Sequence, residues 1–234
     1  MNKEVILITG SSKGIGRGIS EYFALKNFLV EGCSRGPANI DSKNYNHTIV
    51  DVSDEKQVRK WVREVNKKYR KIDVLICNAG IVKSSPMVPM FSKSTFDDYI
   101  NTQLVGTFLT CREVSKIMCR QKKGRIINIS SAAVRLNLVG TSAYTSTKGA
   151  IDKFTKVLAN ELAQYNITCN LVAPGLVLTE ATKEFDDEWK NNLLNKLTIK
   201  KVTTPDDVAN VISFFIKPES SCITGQTIYM NLIN

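Results

Sequence analysis

Apolar runs alternate with amphipathic stretches from one end of the 234-residue chain to the other. Val5, Ile6, Leu7 and Ile8 make residues 4–9 a buried strand, and Ile15, Ile19, Tyr22 and Phe23 follow at helical spacing. Residues 28–34 predict a second strand and 47–51 a third. Residues 54–70 predict a charged helix with Val58, Trp61, Val62 and Val65 along one side. Further strands are expected at 72–77, 125–129, 167–172 and 227–232, with helices at 94–123, 144–165 and 205–216. Ile151, Phe154, Leu158 and Leu162 are the buried stripe of the 144–165 helix. Strand–helix alternation with near-continuously apolar strands predicts an α/β protein, its parallel sheet covered by helices on both faces. No repeat, low-complexity tract or linker divides the pattern, so one domain is expected over 1–234. Residues 178–200 break the rhythm with a polar insertion. Such an insertion, after a strand's carboxyl end, lies over the ligand crevice of an open sheet. It reads as a substrate lid or as an ordinary pair of surface helices.

Composition narrows the picture a little. Hydrophobic residues at 43% and charged residues at 23% are ordinary for a soluble globular protein. No apolar run approaches the roughly 20 residues needed to span a bilayer, and the first strand, with Glu4, does not read as a secretory signal. Six cysteines without a C-x-x-C pair predict reduced thiols and a cytoplasmic location. A single histidine, His47, leaves little material for a zinc site, so no metal is expected. The net charge of +10 suits anionic cofactors or acidic carrier proteins. However, Lys and Arg are dispersed, and the densest run (Arg120, Lys122, Lys123, Arg125) has no aromatic interleaving. That run reads first as a solvated helix end, not as a nucleic-acid surface.

Thr9-Gly10-Ser11-Ser12-Lys13-Gly14-Ile15-Gly16 joins the first strand to the first helix. Its glycines permit a tight turn and close backbone approach to a phosphate, and a helix N-terminus offers free N–H groups to a pyrophosphate. A lone glycine loop is weak evidence, but strand before and helix after supply the required context. The second strand ends in Gly32-Cys33-Ser34-Arg35. An acid at that tip would hold the adenosine ribose and repel a 2′-phosphate. Here Ser34 is neutral, Arg35 is a natural phosphate fork, and Lys13 adds a second cation. The tip therefore predicts NADP(H) rather than NAD(H).

Ser131, Tyr144 and Lys148 are the candidate chemistry. Tyr and Lys four apart share a helical face, and an ammonium beside a phenol is expected to lower its pKa. A Ser hydroxyl can hold a carbonyl oxygen while the phenol exchanges its proton. A Tyr-x-x-x-Lys pair alone is poor evidence, since Tyr22 and Lys26 form another. Only the second pair has a Ser thirteen residues upstream at a strand end.

Taken together, these residues resemble the short-chain dehydrogenase/reductase family over nearly the whole chain. The likeness includes residues 9–16, Asp51-Val52, Asn78-Ala79-Gly80, Asn128-Ile129-Ser130-Ser131, Tyr144-x-x-x-Lys148 and Pro174-Gly175 followed by Val177 and Thr179. The resemblance implies a single-domain Rossmann fold with a doubly wound sheet of about seven strands. It implies that Asp51 and Val52 hold the adenine, that Asn78, Ala79 and Gly80 line the cofactor ribose, and that Pro174, Gly175, Val177 and Thr179 flank the nicotinamide. Lys148 would also bind ribose hydroxyls. Where the family places an Asn that supports a proton-relaying water, this chain has Gln103; Asn101 would point elsewhere on the helix. The usual Asp-Gly-Gly tail is replaced by Asn231-Leu-Ile-Asn234. The family's dimers and tetramers imply a homo-oligomer built on the helices at 94–122 and 144–165.

The expected activity is NADP(H)-dependent interconversion of a ketone and a secondary alcohol, most like β-ketoacyl-carrier-protein reductases and simple carbonyl reductases, with sugar, steroid-like and polyketide ketones still open. A carrier or coenzyme A tail could dock at Lys122, Lys123 and Arg125, and Val134, Leu136, Leu138, Val139, Phe185 and Trp189 suit an apolar substrate. Two rivals stay open at this point: a non-catalytic dinucleotide-binding regulator or scaffold, and a nucleic-acid binder prompted by the charge.

Overall fold

The computed structural model describes residues 3–82, 86–183 and 185–233. Among them, seven strands form one sheet in the order β3-β2-β1-β4-β5-β6-β7. The strands are β1 (Val5–Thr9), β2 (Leu29–Ser34), β3 (Tyr45–Ile49), β4 (Val74–Cys77), β5 (Gly124–Ile129), β6 (Ile167–Ala173) and β7 (Thr227–Tyr229), and every pairing is parallel. The helices are α1 (Gly14–Leu25), α2 (Glu55–Tyr69), α3 (Lys93–Tyr99), α4 (Gly106–Gln121), the short α5 (Ala133–Leu136), α6 (Ser142–Leu162), α7 (Asp187–Lys196) and α8 (Pro205–Ile216).

Strand alternation explains the two cores. Val5 and Leu7 face one side and pack with Trp61, Val62, Leu109, Val114 and Leu158 from α2, α4 and α6. Ile6 and Ile8 face the other and pack with Ile19, Phe23, Ile212 and Phe215 from α1 and α8. Both faces of the central strands are dry, so their sequences read as unbroken apolar runs. Local signals end the helices as expected. Asp54 caps α2 through the Lys56 and Gln57 amides, and Thr204 with Asp207 forms a capping box on α8.

Three differences from the sequence reading have physical causes. The third strand begins at Tyr45, not 47, because it is an edge strand paired only to β2 and half solvated. The long 94–123 helix is one rod with a π-helical turn, Ile100–Val105, set between α3 and α4. Arg125 is not part of an exposed basic run. It lies on β5, 8% exposed, its guanidinium donating to the Gly124 carbonyl, and burial lowers its pKa. Lys122 and Lys123 are exposed, Lys122 closing α4 in a left-handed conformation.

The unusual tail has a role within the chain. Asn231 accepts a hydrogen bond from the Thr203 hydroxyl at 2.9 Å and donates to the carbonyls of Ile199 and Lys201. It thereby fastens the segment that follows α7.

Candidate active site

The sheet order changes direction between β1 and β4, and the strand ends around that point open a crevice. The chain is stitched together there. The Thr9 hydroxyl accepts from the amides of Asn78 and Ala79, both at 3.0 Å. Asn78 Nδ2 donates to the carbonyls of Thr9 and Gly10, both at 3.1 Å. The amides of Gly10 and Ser11 return to the Cys33 carbonyl on β2. Gly10 has φ +72°, and a side chain there would press on Ala79 at 2.8 Å. This is a cradle whose floor is bare backbone, followed at once by the N-terminus of α1.

The crevice is a cavity of about 760 Å³, and it gathers nearly all the expected residues. Gly10, Ser12, Lys13, Gly14, Ile15 and Gly16 line one end with Ser34, Arg35, Asp51 and Val52. Asn78, Ala79 and Gly80 line the middle. Gln103, Ser131, Tyr144, Lys148, Pro174, Gly175, Val177 and Thr179 complete the lining, Thr179 packing against Gly14 of the loop. Ser11 is the exception. Its side chain is fully buried beneath the loop and hydrogen-bonded to the Tyr45 hydroxyl at 2.9 Å, so it does not line the cavity. Val134 and Leu136 also lie outside the lining, whereas Leu138, Val139, Phe185 and Trp189 belong to it. Phe185 and Trp189 stack with centroids 4.4 Å apart.

The glycine-loop end of the cavity carries two cations without ion-pair partners among the described residues. These are Lys13 and Arg35, both exposed. The acid of the second strand, Glu31, is buried and held by Lys68 at 2.9 Å and the Tyr69 hydroxyl at 2.6 Å, so it is absent from the tip. Bare backbone, a helix N-terminus and two free cations fit a dinucleotide bearing an extra phosphate.

The reactive end corrects one expectation. Burial is the largest influence on Tyr144 and raises its phenol pKa; the Ser131 hydroxyl, hydrogen-bonded to it, pulls the other way, and Tyr99 raises it slightly. The sequence spacing has Lys148 lowering it, yet the Lys148 ammonium donates to the Ile129 carbonyl at 2.7 Å and sits 6.0 Å from the ring centroid. Tyr144 is consequently a protonated group at neutral pH, suited to giving a proton. Burial lowers Lys148 from the ordinary 10.5 to about 8.

That shift has a stability consequence. A base whose folded pKa lies below its unfolded value binds more protons in the unfolded state between the two, so stability rises with pH there. Wild type should gain about 3 kcal/mol in all from Lys148 between pH 8 and 10.5, about 2 of it between pH 7.5 and 9.5. Urea unfolding of wild type and Lys148→Met across pH 7.5–9.5 checks this. The gap between the two curves should move by that amount, and parallel curves would refute it.

Gln103 is fully buried on the π-helical turn, and Asn101 is exposed. Gln103 Nε2 donates to the Thr147 hydroxyl at 3.1 Å. Its Oε1 lacks a partner among the described residues and faces Gly80. Extra helical residues of this kind often occur where a side chain must be aimed at a site. Two residues escape the sequence reading. Tyr99 lines the cavity and meets Tyr144 edge-on at 6.4 Å; its position four before Gln103, on the same helical face, is the available signal. His47 lies behind the phosphate end, linked to Ser34 and Gly36.

A doubly wound dinucleotide-binding fold with a Ser, a Tyr and a Lys converging at one end of its crevice defines the class. A sequence profile for short chain dehydrogenases matches residues 4–190, and the chain belongs to that family. It is 33% identical over 241 residues to the 3-oxoacyl-[acyl-carrier-protein] reductase FabG of Staphylococcus epidermidis, covering 99% of this chain and 98% of that one. It is 34% identical to the FabG of Chlamydia pneumoniae, with 97% and 94% covered. Among solved structures, ElxO with NADP bound superposes with TM-score 0.90 at 31% identity, covering 98% of this chain and 97% of that one. An actinorhodin polyketide ketoreductase with NADPH gives 0.88 at 27%, with 97% and 95% covered. The protein is an oxidoreductase of the CH–OH/C=O class.

Proposed function

We infer that the protein reduces the ketone of an apolar substrate, with 3-oxoacyl thioesters the leading class, using NADP(H). The observation that carries this reading is the placement of the Ser131–Tyr144 hydrogen-bonded pair in the same cavity as the glycine loop and Arg35. Relatives named for 3-oxoacyl-carrier reduction, and neighbours solved with NADP or NADPH, support it.

NADPH, when bound, supplies the hydride. The chain's own residues do the rest. The Ser131 hydroxyl and the Tyr144 phenol hold the carbonyl oxygen, and Tyr144 releases its proton as negative charge builds there. Lys148, anchored to Ile129, would hold the nicotinamide ribose and return a proton towards Tyr144; Gln103 would support that return through its buried amide. Residues 178–200 close over the substrate, with Phe185 and Trp189 as an apolar wall. Exposed Phe108 on α4 and Val157 on α6 support a homo-oligomer assembled on those helices. No helix among the described residues is long and apolar enough to cross a membrane.

Nucleotide preference and turnover test the reading together. Acyl-carrier, acyl-CoA, sugar and cyclic ketones should be assayed with NADPH and NADH. The 3-oxoacyl thioesters should lead, and NADPH should bind at least about tenfold more tightly than NADH. Arg35→Ala should abolish most of that preference. Equal affinities in the wild type would overturn the cofactor assignment, and silence across the whole panel would leave a binding protein without catalysis.

A further inference from the structure

The chain's one histidine is His47, on the edge strand β3. It does not line the cavity, yet it touches the cavity's phosphate end through other groups. His47 Nε2 lies 2.9 Å from the Gly36 carbonyl and 3.1 Å from the Ser34 hydroxyl. The Ser34 hydroxyl donates to the same Gly36 carbonyl at 2.7 Å. A carbonyl only accepts, so Nε2 carries the hydrogen. Nδ1 is 2.9 Å from the Tyr45 hydroxyl, and in the neutral ring with its hydrogen on Nε2 it accepts from that hydroxyl. The Tyr45 oxygen is in turn 2.9 Å from the buried Ser11 hydroxyl, which also lies 3.4 Å from the Cys33 carbonyl.

One polar chain therefore runs from the glycine loop to the tip of β2, through Ser11, Tyr45 and His47. Gly32 makes room for it, since a side chain there would collide with Ser11 Oγ and the Tyr45 hydroxyl. The two residues that His47 grips, Ser34 and Gly36, flank Arg35 on either side. Arg35 itself is exposed and has no ion pair among the described residues, so nothing but its backbone fixes where the guanidinium starts. A bidentate phosphate contact is sensitive to that starting point, because the fork has fixed geometry.

We propose that His47 is a positioning residue for coenzyme selectivity: it clamps the Ser34–Arg35–Gly36 turn so that Arg35 meets the adenosine 2′-phosphate. The inference rests on the NADP(H) reading above. The Nε2 grip on Ser34 and Gly36 bears on the turn that carries Arg35, whereas the Nδ1 side bears on the glycine loop that both nucleotides share. A merely structural role would weaken NADPH and NADH alike.

Two substitutions separate these possibilities. In His47→Gln the amide N–H₂ reaches about as far as imidazole Nε2 and keeps the donor to Gly36. His47→Asn keeps a polar partner for Tyr45 but falls short of Gly36. Dissociation constants for NADPH and NADH are measured by titration calorimetry on the full chain, with folding checked by circular dichroism. His47→Asn should weaken NADPH about fivefold or more and leave NADH within about twofold, while His47→Gln stays near wild type for both. Equal losses for the two nucleotides, no loss, or a Gln variant as weak as the Asn variant would overturn the proposal. A wild type without NADPH preference would sink the cofactor reading itself, whereas a preference that survives His47→Asn sinks only the role of His47.

Discussion

Tyr144→Phe is expected to lower kcat for NADPH-dependent ketone reduction by about 10³-fold or more, with NADPH affinity within about twofold of wild type. The protonation state of the phenol in the pocket wall sets the size of the effect. Burial raises its pKa, so at neutral pH it holds the proton that a developing alkoxide needs. Phe removes that proton and the hydrogen bond with Ser131, but leaves the ring that packs edge-on against Tyr99. The substitution leaves Arg35 and the glycine loop, which line the same cavity, as they are. The residual rate should be what Ser131 and simple proximity provide. Single-turnover rates and NADPH titrations together decide the matter. Near-normal turnover would remove Tyr144 from the reaction, and a collapse of NADPH binding would make its role architectural.

Much of the fold and the site is legible in the amino-acid sequence, and the parts that are not share a physical cause. Central strands can be placed to within a residue or two because both faces are buried and their residues are uniformly apolar, as Ile6 to Ile8 and Ile126 to Ile127 show. The edge strand β3 resists this, because Tyr45 faces inward while Asn46 is exposed, and an alternating polar strand has no run to mark its start. The basic run misleads for a related reason. Spacing along the chain joins Arg125 to Lys122 and Lys123, but the turn at Lys122 ends the helix and sends Arg125 into the sheet. The reactive group shows a third limit. Four-residue spacing correctly predicts that Tyr144 and Lys148 share a face. It cannot tell that the lysine's amine is bound to the Ile129 carbonyl, contributed by another strand, while burial dominates the phenol. Electrostatics of this kind depends on long-range neighbours, and so does the Ser11–Tyr45–His47 chain, whose members are 34 and two residues apart.

Gly16→Ala is expected to weaken NADPH binding by about 100-fold or more and to destabilise the fold by about 1–3 kcal/mol, the usual cost of overpacking. Gly16 sits in the first turn of α1, directly under the glycine loop. A methyl group there would lie well inside contact distance of the Gly10 carbonyl oxygen and Asn78 Nδ2. Neither can yield cheaply. Gly10, at φ +72°, donates its N–H to the Cys33 carbonyl, and Asn78 is the clamp that ties β4 to the loop through the Thr9 and Gly10 carbonyls. Relieving the clash means lifting the loop off the helix end, and this separates the N–H groups that would meet a pyrophosphate. Gly18→Ala is the control. A methyl at Gly18 would press on the Pro205 ring of α8, a packing contact outside the cavity. It should cost stability comparably, yet leave nucleotide affinity within about threefold. Calorimetry and urea unfolding on both variants distinguish the two outcomes. If the two substitutions changed affinity alike, the close approach at Gly16 would be a matter of helix packing alone, and the glycine loop would lose its claim as the phosphate cradle.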